Sequence, residues 1–327
     1  MEIGGYFNLE LDPKEHYLHK DGIMLNSGRH ALEYVLKTIP QIDCIYLPDY
    51  TCRVVKLPIE KLGIKIKRYE VSKDMRLANP IELGEYDYLL FTNYFGILDS
   101  YIVELSKIYG DKLIVDNAQA LFARPIDGVR TAYSPRKFIG VADGGIAYSP
   151  TRFIGEICET DISVERSNYL LSRFDYPSAS GYVASKESNK TIESSDLKWM
   201  SHLTKTIYQS VNFDLIKSKR KHNFEYLHQQ LGDINQMNIP TIDTFECPMV
   251  YPLFVKNDSL LKSLIEDGIF VAVYWPYVLQ TCPVESTAYE LAKNVIALPI
   301  DQRYGLSEME YIVERIKVHL RNGQRRV

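Results

Sequence analysis

The stretch from Asp87 to Asp116 limits the possible folds more than any other part of this chain. DYLLF (87–91) and KLIVD (112–116) have strand length and are almost wholly apolar. Between them, SYIVELSKIYG carries a helical pattern and stops on Gly110, as helices commonly do. Strand, helix and strand in about thirty residues make a βαβ unit, which implies a parallel sheet. Parallel strands are covered on both faces, and this explains why the two runs do not alternate with polar residues. CIYLP (44–48) and IKIKRYEV (64–71) read as further strands. GGIAYS (144–149) reads as another, opened by a glycine pair that lets the backbone approach something closely. In HALEYVLKTI, residues Ala31, Leu32, Val35, Leu36 and Ile39 share one helical face, and Asn26, Ser27 and Gly28 precede it as turn and capping residues.

From about residue 160 to 201 the character changes. SASGYVASKESNKTIESSDLKWM is rich in Ser, Lys and Glu and weakly periodic, which predicts a long loop. A helix containing IKSKRKHNFEYLHQQL follows. MVYPLFV and IFVAVYW read as strands of a second unit, and Ser307 with Glu310 forms an S-x-x-E capping box before a last helix. With 327 residues the chain exceeds one small core. The expected fold is α/β with two domains: residues 1–235, large, with a mostly parallel sheet, and residues 236–327, smaller and also α/β.

Composition excludes several functions. The net charge is −4 and the pI about 6.0, without a basic run that would suit nucleic acid. The densest cluster, Lys217, Lys219, Arg220 and Lys221, reads as a solvated helix face. Five cysteines without CxxC spacing fit neither a zinc site nor a disulfide framework, and suit a reducing compartment. The histidines form no ligand motif, so no metal is expected. No apolar stretch approaches the ~18 residues of a membrane span, and MEIGGYFNLELDPKEH has no apolar segment typical of a secretory signal. The expected location is cytoplasmic.

Three segments carry chemistry. In DNAQAL, Asp116 ends a parallel strand at the carboxyl edge, where α/β folds bind ligands; a strand-end aspartate is equally an ordinary helix cap. In SPRKFIGVADGG, Lys137 lies in a loop. In NSGRHAL, a small-residue turn opens a helix, presenting free N–H groups and the positive dipole end to an anion. Neither GxGxxG nor a Walker motif is present, so dinucleotides and nucleoside triphosphates are not the obvious ligands. A phosphate cradle, a carboxylate for a pyridine nitrogen and a lysine for an imine are what pyridoxal phosphate asks of a protein.

With these segments in order, and with YLPDYTC, NYFG, KRKHNFEYL, VYW and LPIDQRY, the chain resembles the DegT/DnrJ/EryC1/StrS sugar aminotransferases nearly end to end. The resemblance implies the PLP-dependent transferase fold type I, pyridoxal 5′-phosphate as cofactor, and Lys137 as the residue that carries it. It implies that Asp116 pairs with the ring nitrogen and Gln119 lies near the 3-hydroxyl. Gly28, Arg29 and His30 would wrap the phosphate, with Ser134 as a hydroxyl donor. Where the family commonly stacks an aromatic ring on the cofactor this chain has Cys52, so that either Tyr50 substitutes or the stacking is weaker. Asn223 matches an asparagine that reaches the neighbouring subunit's site, which implies a homodimer with shared sites. The implied substrates are an amino donor, plausibly glutamate, and a keto sugar on a nucleotide whose diphosphate Arg29, Arg53 or Arg303 could face. Two other readings stand beside this one. A sugar dehydratase of the same family would carry histidine where this chain has Lys137, and a non-catalytic homologue would not need Lys137, Asp116 and Gln119 together.

Overall fold

The computed structural model describes residues 3–324. The strands are β1 (Ile23–Leu25), β2 (Cys44–Pro48), β3 (Lys65–Tyr69), β4 (Asp87–Thr92), β5 (Leu113–Asn117), β6 (Arg130–Tyr133), β7 (Gly145–Tyr148), β8 (Val250–Phe254) and β9 (Val295–Pro299). The helices are α1 (Gly28–Lys37), α2 (Lys56–Lys61), α3 (Asp99–Tyr109), α4 (Asn168–Asp175), α5 (Tyr182–Ser194), α6 (His202–Ser210), α7 (Phe213–Leu231), α8 (Leu260–Glu266), α9 (Pro276–Thr281), α10 (Thr287–Asn294) and α11 (Leu306–Gln324).

Among the described residues the first sheet has seven strands in the order β1-β7-β6-β5-β4-β2-β3. The run from β6 to β3 is parallel, and β7 and β1 are antiparallel to their neighbours. The expected βαβ unit is β4-α3-β5, in register Leu89↔Leu113 to Thr92↔Asp116. Successive residues of these strands enter opposite cores. Leu89, Phe91, Leu113 and Val115 pack on one side of the sheet. Leu90 and Ile114 pack on the other, against Ala31, Leu32 and Val35 of α1. This two-sided burial is the reason the runs are continuously apolar. The same parity turns Asp116 toward α1, and that decides where the site lies. The mixed α/β fold with a mostly parallel large sheet is as expected.

Four local expectations are corrected. The stretch read as a long loop contains α4 and α5, and α5 buries Ser188 and Ile192 on one face. IFVAVYW forms no strand beyond an isolated bridge, Ala272↔Ala297; β8 pairs instead with β9, from VIALP. Ser307 does not cap α11, which begins at Leu306; the Glu308 carboxylate reaches back to the Gly305 N–H (2.8 Å). The basic cluster on α7 is not uniformly solvated, because Arg220 is 2% exposed. Helix α7 packs against β8 and α11. No helix among the described residues is long and apolar enough to cross a membrane.

Two buried histidines give the fold a pH dependence. His19 lies against the Tyr133 ring (4.2 Å) and its Nε2 meets the Leu121 carbonyl (2.6 Å). Burial lowers its pKa to about 4, and burial together with the neighbouring Arg29 does the same at His30. Both are neutral in the folded state, whereas the unfolded imidazoles take up protons below about pH 6.5. Stability from this source is therefore complete above pH 6.5 and falls as pH drops toward 4, at about 1.4 kcal/mol per pH unit for each histidine. Urea melts from pH 7.5 to 4.5 should show this loss. His19→Asn should reduce the slope by about half, since one of the two groups is removed. An unchanged slope in that variant would remove His19 from the account.

Candidate active site

The parallel strands deliver their carboxyl ends to one edge of the sheet, facing the start of α1. A cavity of about 170 Å³ lies there. It is lined by Cys52 after β2, Thr92 at the end of β4, Asp116, Ala118 and Gln119 at and after β5, and Ser134, Arg136 and Lys137 after β6, with Ser27, Gly28 and Arg29 opposite. This is the crevice that open α/β sheets use for ligands. Asp116 is 8% exposed, and its Oδ1 accepts the Ala118 N–H at 2.9 Å. Burial raises its pKa, and the nearby positive charge of Lys137 pulls the other way. A buried carboxylate of this kind is stabilised by a cationic ligand group beside it.

Gln119 is held by its acceptor and left with its donor free. Its Oε1 takes the Phe95 N–H (2.9 Å) from the NYFG turn. Its Nε2 is buried without a partner among the described residues. An orphaned buried donor costs about 1–3 kcal/mol, which a ligand oxygen in the cavity relieves.

At the other end, Ser27 caps α1, its Oγ accepting the His30 N–H (3.1 Å) while its carbonyl takes that of Ala31 (2.8 Å). The first-turn N–H groups of Gly28 and Arg29 remain at the open helix end, the usual anion position. A Cβ at Gly28 would stand 2.8 Å from Ser134 Cβ and 3.4 Å from the Tyr133 carbonyl oxygen. A Cβ at Gly145 would meet the Ser27 carbonyl oxygen at 1.9 Å. The glycine of NSG and the second glycine of VADGG are thus required by one close approach, which brings the α1 turn onto Ser134 and β7. Asp143 of the same motif is fully buried and accepts the Ser201 N–H (2.8 Å) and Oγ–H (2.7 Å), and Thr204 Oγ1 also bonds it.

Lys137 ends the short turn Pro135–Lys137 and is itself exposed. The structure therefore gathers Lys137, Asp116, Gln119, Gly28, Arg29 and Ser134 around one cavity. It separates the other three expected site residues from it. His30 spends its N–H on Ser27, and its ring spans Ser27 Oγ (2.9 Å) and the Ser195 carbonyl (3.0 Å), so it ties a loop to α1. Tyr50 is fully buried, stacked on Tyr94 (5.3 Å) and beside Trp275 (5.0 Å), away from the cavity wall. The aromatic side chain that lines the cavity is Trp275, from the VYW segment of the second unit. Asn223 donates through Nδ2 to the Ile300 (3.1 Å) and Tyr304 (3.2 Å) carbonyls of its own chain. Both its Nδ2 donors are thus engaged within the chain.

Sequence reasoning missed Arg136 and helix α5. Arg136 lines the cavity and bonds Asn189 of α5 (2.5 Å). Arg29 donates to the α5 carbonyls of Glu193 (2.6 Å) and Ile192 (3.3 Å), and Arg53 pairs with the Glu193 carboxylate. Ile192 itself lines the cavity. Arg303, by contrast, is taken by Asp301 (2.7 and 2.8 Å).

No protein-family model matches the chain, and no curated protein matches its sequence. Solved structures do match its fold. The sugar aminotransferase CalS13 from Micromonospora echinospora is 14% identical, with 91% of this chain and 87% of that one covered at a TM-score of 0.63. NtdA from Bacillus subtilis with bound cofactor PMP is 14% identical over 90% of this chain and 72% of that one, TM-score 0.63. A DegT DnrJ EryC1 StrS aminotransferase from Brucella abortus is 14% identical over 91% and 85%, TM-score 0.58. The expected fold, type I of the PLP-dependent transferases, is the one these proteins share with this chain.

Proposed function

We propose that this chain is a pyridoxal-5′-phosphate-dependent aminotransferase that takes an amino group, with glutamate as donor, and places it on a keto sugar carried by a nucleotide. The observation that carries this reading is the convergence of Asp116, Gln119, Lys137 and the Gly28–Ser134 contact on one cavity. The residues fit the cofactor at three points: a buried carboxylate that seeks a cation, a buried amide donor without an acceptor, and an open helix start beside a hydroxyl.

When bound, pyridoxal phosphate would supply an electron sink for the bond broken at the amino acid's α-carbon. Asp116 would face the ring nitrogen with its negative charge and favour its protonated form. Gln119 would offer its free Nε2 donor to the cofactor. The N–H groups of Gly28 and Arg29, with Ser134 Oγ, would hold the phosphate. Lys137 would hold the cofactor through Nζ and carry the proton at the donor α-carbon. Helix α5 covers this edge through Ile192 and limits access of water.

The anionic acceptor is supported by charge. Arg29 and Arg136 line the cavity and Arg53 lies near Arg29, with Glu193 as the carboxylate acting on Arg29. The Nε atoms of Arg29 and Arg136 are buried without partners among the described residues. Guanidinium groups with free donors suit a diphosphate. A homodimer belongs to the proposal as well, supported by exposed Leu171, Phe174, Tyr176, Tyr182 and Val183 on and beside α4 and α5.

Glutamate added to the yellow, cofactor-loaded protein should bleach its near-visible band, and a keto-sugar nucleotide should restore it. Retained cofactor with no response to any amino donor would leave a non-catalytic homologue as the better reading. Sedimentation of the same preparation reads the assembly, and an active monomer would remove the dimer.

A further inference from the structure

Arg220 is the most anomalous side chain on α7. Apart from the neutral Asn223, the buried face of that helix is apolar, with Ile216, Phe224, Leu227 and Leu231, yet Arg220 lies within it at 2% exposure. Its hydrogen bonds all go to neutral oxygens: Nε to Gln302 Oε1 (3.1 Å), Nη1 to the Met249 carbonyl (2.8 Å) and Nη2 to the Phe138 carbonyl (3.5 Å). Burial lowers its pKa. A buried cation bonded only to neutral groups costs stability, and an apolar side chain of similar volume commonly does better in such a place.

What the guanidinium fastens is the segment carrying Lys137. The turn Pro135–Lys137 is closed by the Phe138 (2.9 Å) and Ile139 (3.0 Å) N–H groups on the Pro135 carbonyl, and Arg136 bonds Asn189. Lys137 itself is held least: its N–H reaches the Ser134 carbonyl only at 3.4 Å, and its side chain is exposed. The next residue is held from several sides. The Phe138 carbonyl receives Gln302 Nε2 (2.7 Å) as well as Arg220 Nη2. The Phe138 ring lies under the guanidinium (4.7 Å) and edge-on to Phe122 (5.8 Å). Arg220 also sets the orientation of Gln302: by donating to Oε1 it leaves Nε2 pointing at Phe138. Gln302 follows β9 in LPIDQRY, so the second unit reaches across to the residue beside the lysine.

We propose that Arg220 and Gln302 are positioning residues for Lys137: they clamp the Phe138 carbonyl and thereby set where the lysine stands relative to Asp116. The clamp ties the α7 helix and the β8-β9 unit to the reactive loop, so a shift of that unit moves the lysine. The functional consequence rests on Lys137 being the residue that takes the cofactor; the clamp itself does not.

The test uses the full chain with Gln302→Leu, Arg220→Lys and Arg220→Met. In Gln302→Leu, hydrogen exchange of amides 138–141 should quicken by roughly five- to tenfold, the factor given by one lost buried hydrogen bond, while the strands β4 and β5 exchange as in the wild type. Attachment of added pyridoxal 5′-phosphate at Lys137, trapped by borohydride and read by peptide mapping, should slow by a similar factor. Arg220→Lys keeps the charge but not the fork, and should fall between wild type and Arg220→Met. If Arg220→Met does not fold, Gln302→Leu and Arg220→Lys decide the matter. Wild-type exchange and trapping rates in folded Gln302→Leu would overturn the proposal, and so would a uniform rise in exchange across the sheet. Failure of the wild type to attach the cofactor at Lys137 would sink the cofactor reading instead, and loop exchange would still decide the clamp.

Discussion

Replacing Lys137 with alanine is expected to abolish covalent attachment of pyridoxal phosphate and to lower amino transfer by at least about 10³-fold, while leaving the fold intact. The rate loss combines two roles of one side chain, the covalent anchor and the proton carrier, and positioned acid–base groups alone contribute about 10²–10⁴-fold. The stability expectation follows from exposure. Lys137 is exposed and no hydrogen bond of its side chain holds the turn Pro135–Lys137 together. Substitutions of this kind usually change stability by no more than about 0.5 kcal/mol. Borohydride reduction followed by peptide mapping should find the cofactor on the Lys137 peptide in the wild type and nowhere in the variant. A variant that keeps wild-type turnover would remove Lys137 from the chemistry.

Asp116→Asn should act in opposite directions on activity and on the stability of the cofactor-free protein. The amide cannot balance a protonated ring nitrogen, and an unpaired charge in a buried site costs about 3–5 kcal/mol. That corresponds to a fall in turnover on the order of 10²–10⁴-fold. Without the cofactor the sign reverses. Burial raises the Asp116 pKa above its ordinary value, so at neutral pH the folded protein bears the cost of a desolvated carboxylate, only partly offset by Lys137. That cost is present above the raised folded pKa and is relieved as pH falls through it. The neutral amide removes it, so the cofactor-free variant should melt higher than the cofactor-free wild type at pH 7. Unchanged turnover together with a lower melting temperature would mean that Asp116 serves as a turn cap through its bond to Ala118.

Both predictions concern residues that could be picked out of the sequence, and the reason is local. Asp116 stands at the end of an apolar strand run, and strand ends at a parallel sheet's carboxyl edge are where ligands bind, whereas Lys137 is marked by its loop position and by the motif that carries the family resemblance. Gly28 and the second glycine of VADGG were legible for a similar reason, since each marks a backbone approach too close for a Cβ. Tyr50, His30 and Asn223 were matched by position in motifs. Their side chains turned out to be spent on Tyr94 and Trp275, on Ser27 and Ser195, and on Ile300 and Tyr304. Nothing in the motifs records where a side chain points.

Periodicity determined the central part of this protein by itself: the βαβ unit, the start of α1 and the presence of β2, β3, β4 and β5, though not their order in the sheet. Continuous apolar runs have few other ways to be buried, and a glycine or an aspartate at their ends fixes the turn. Contacts distant in sequence decided the rest. Helix α5 arises from a Ser- and Lys-rich stretch with little periodic signal, and its C-terminal end is held by Arg29, Arg53 and Arg136 from elsewhere in the chain. IFVAVYW has strand composition, but β8 pairs with β9, and a strand forms only where a partner is free. Arg220 sits in a basic run and was read as solvated, although its spacing to Ile216, Phe224, Leu227 and Leu231 places it on the buried stripe of α7. The charge of a residue can be read from the sequence; which neighbours receive its hydrogen bonds is settled only when α7, β9 and the Lys137 turn meet.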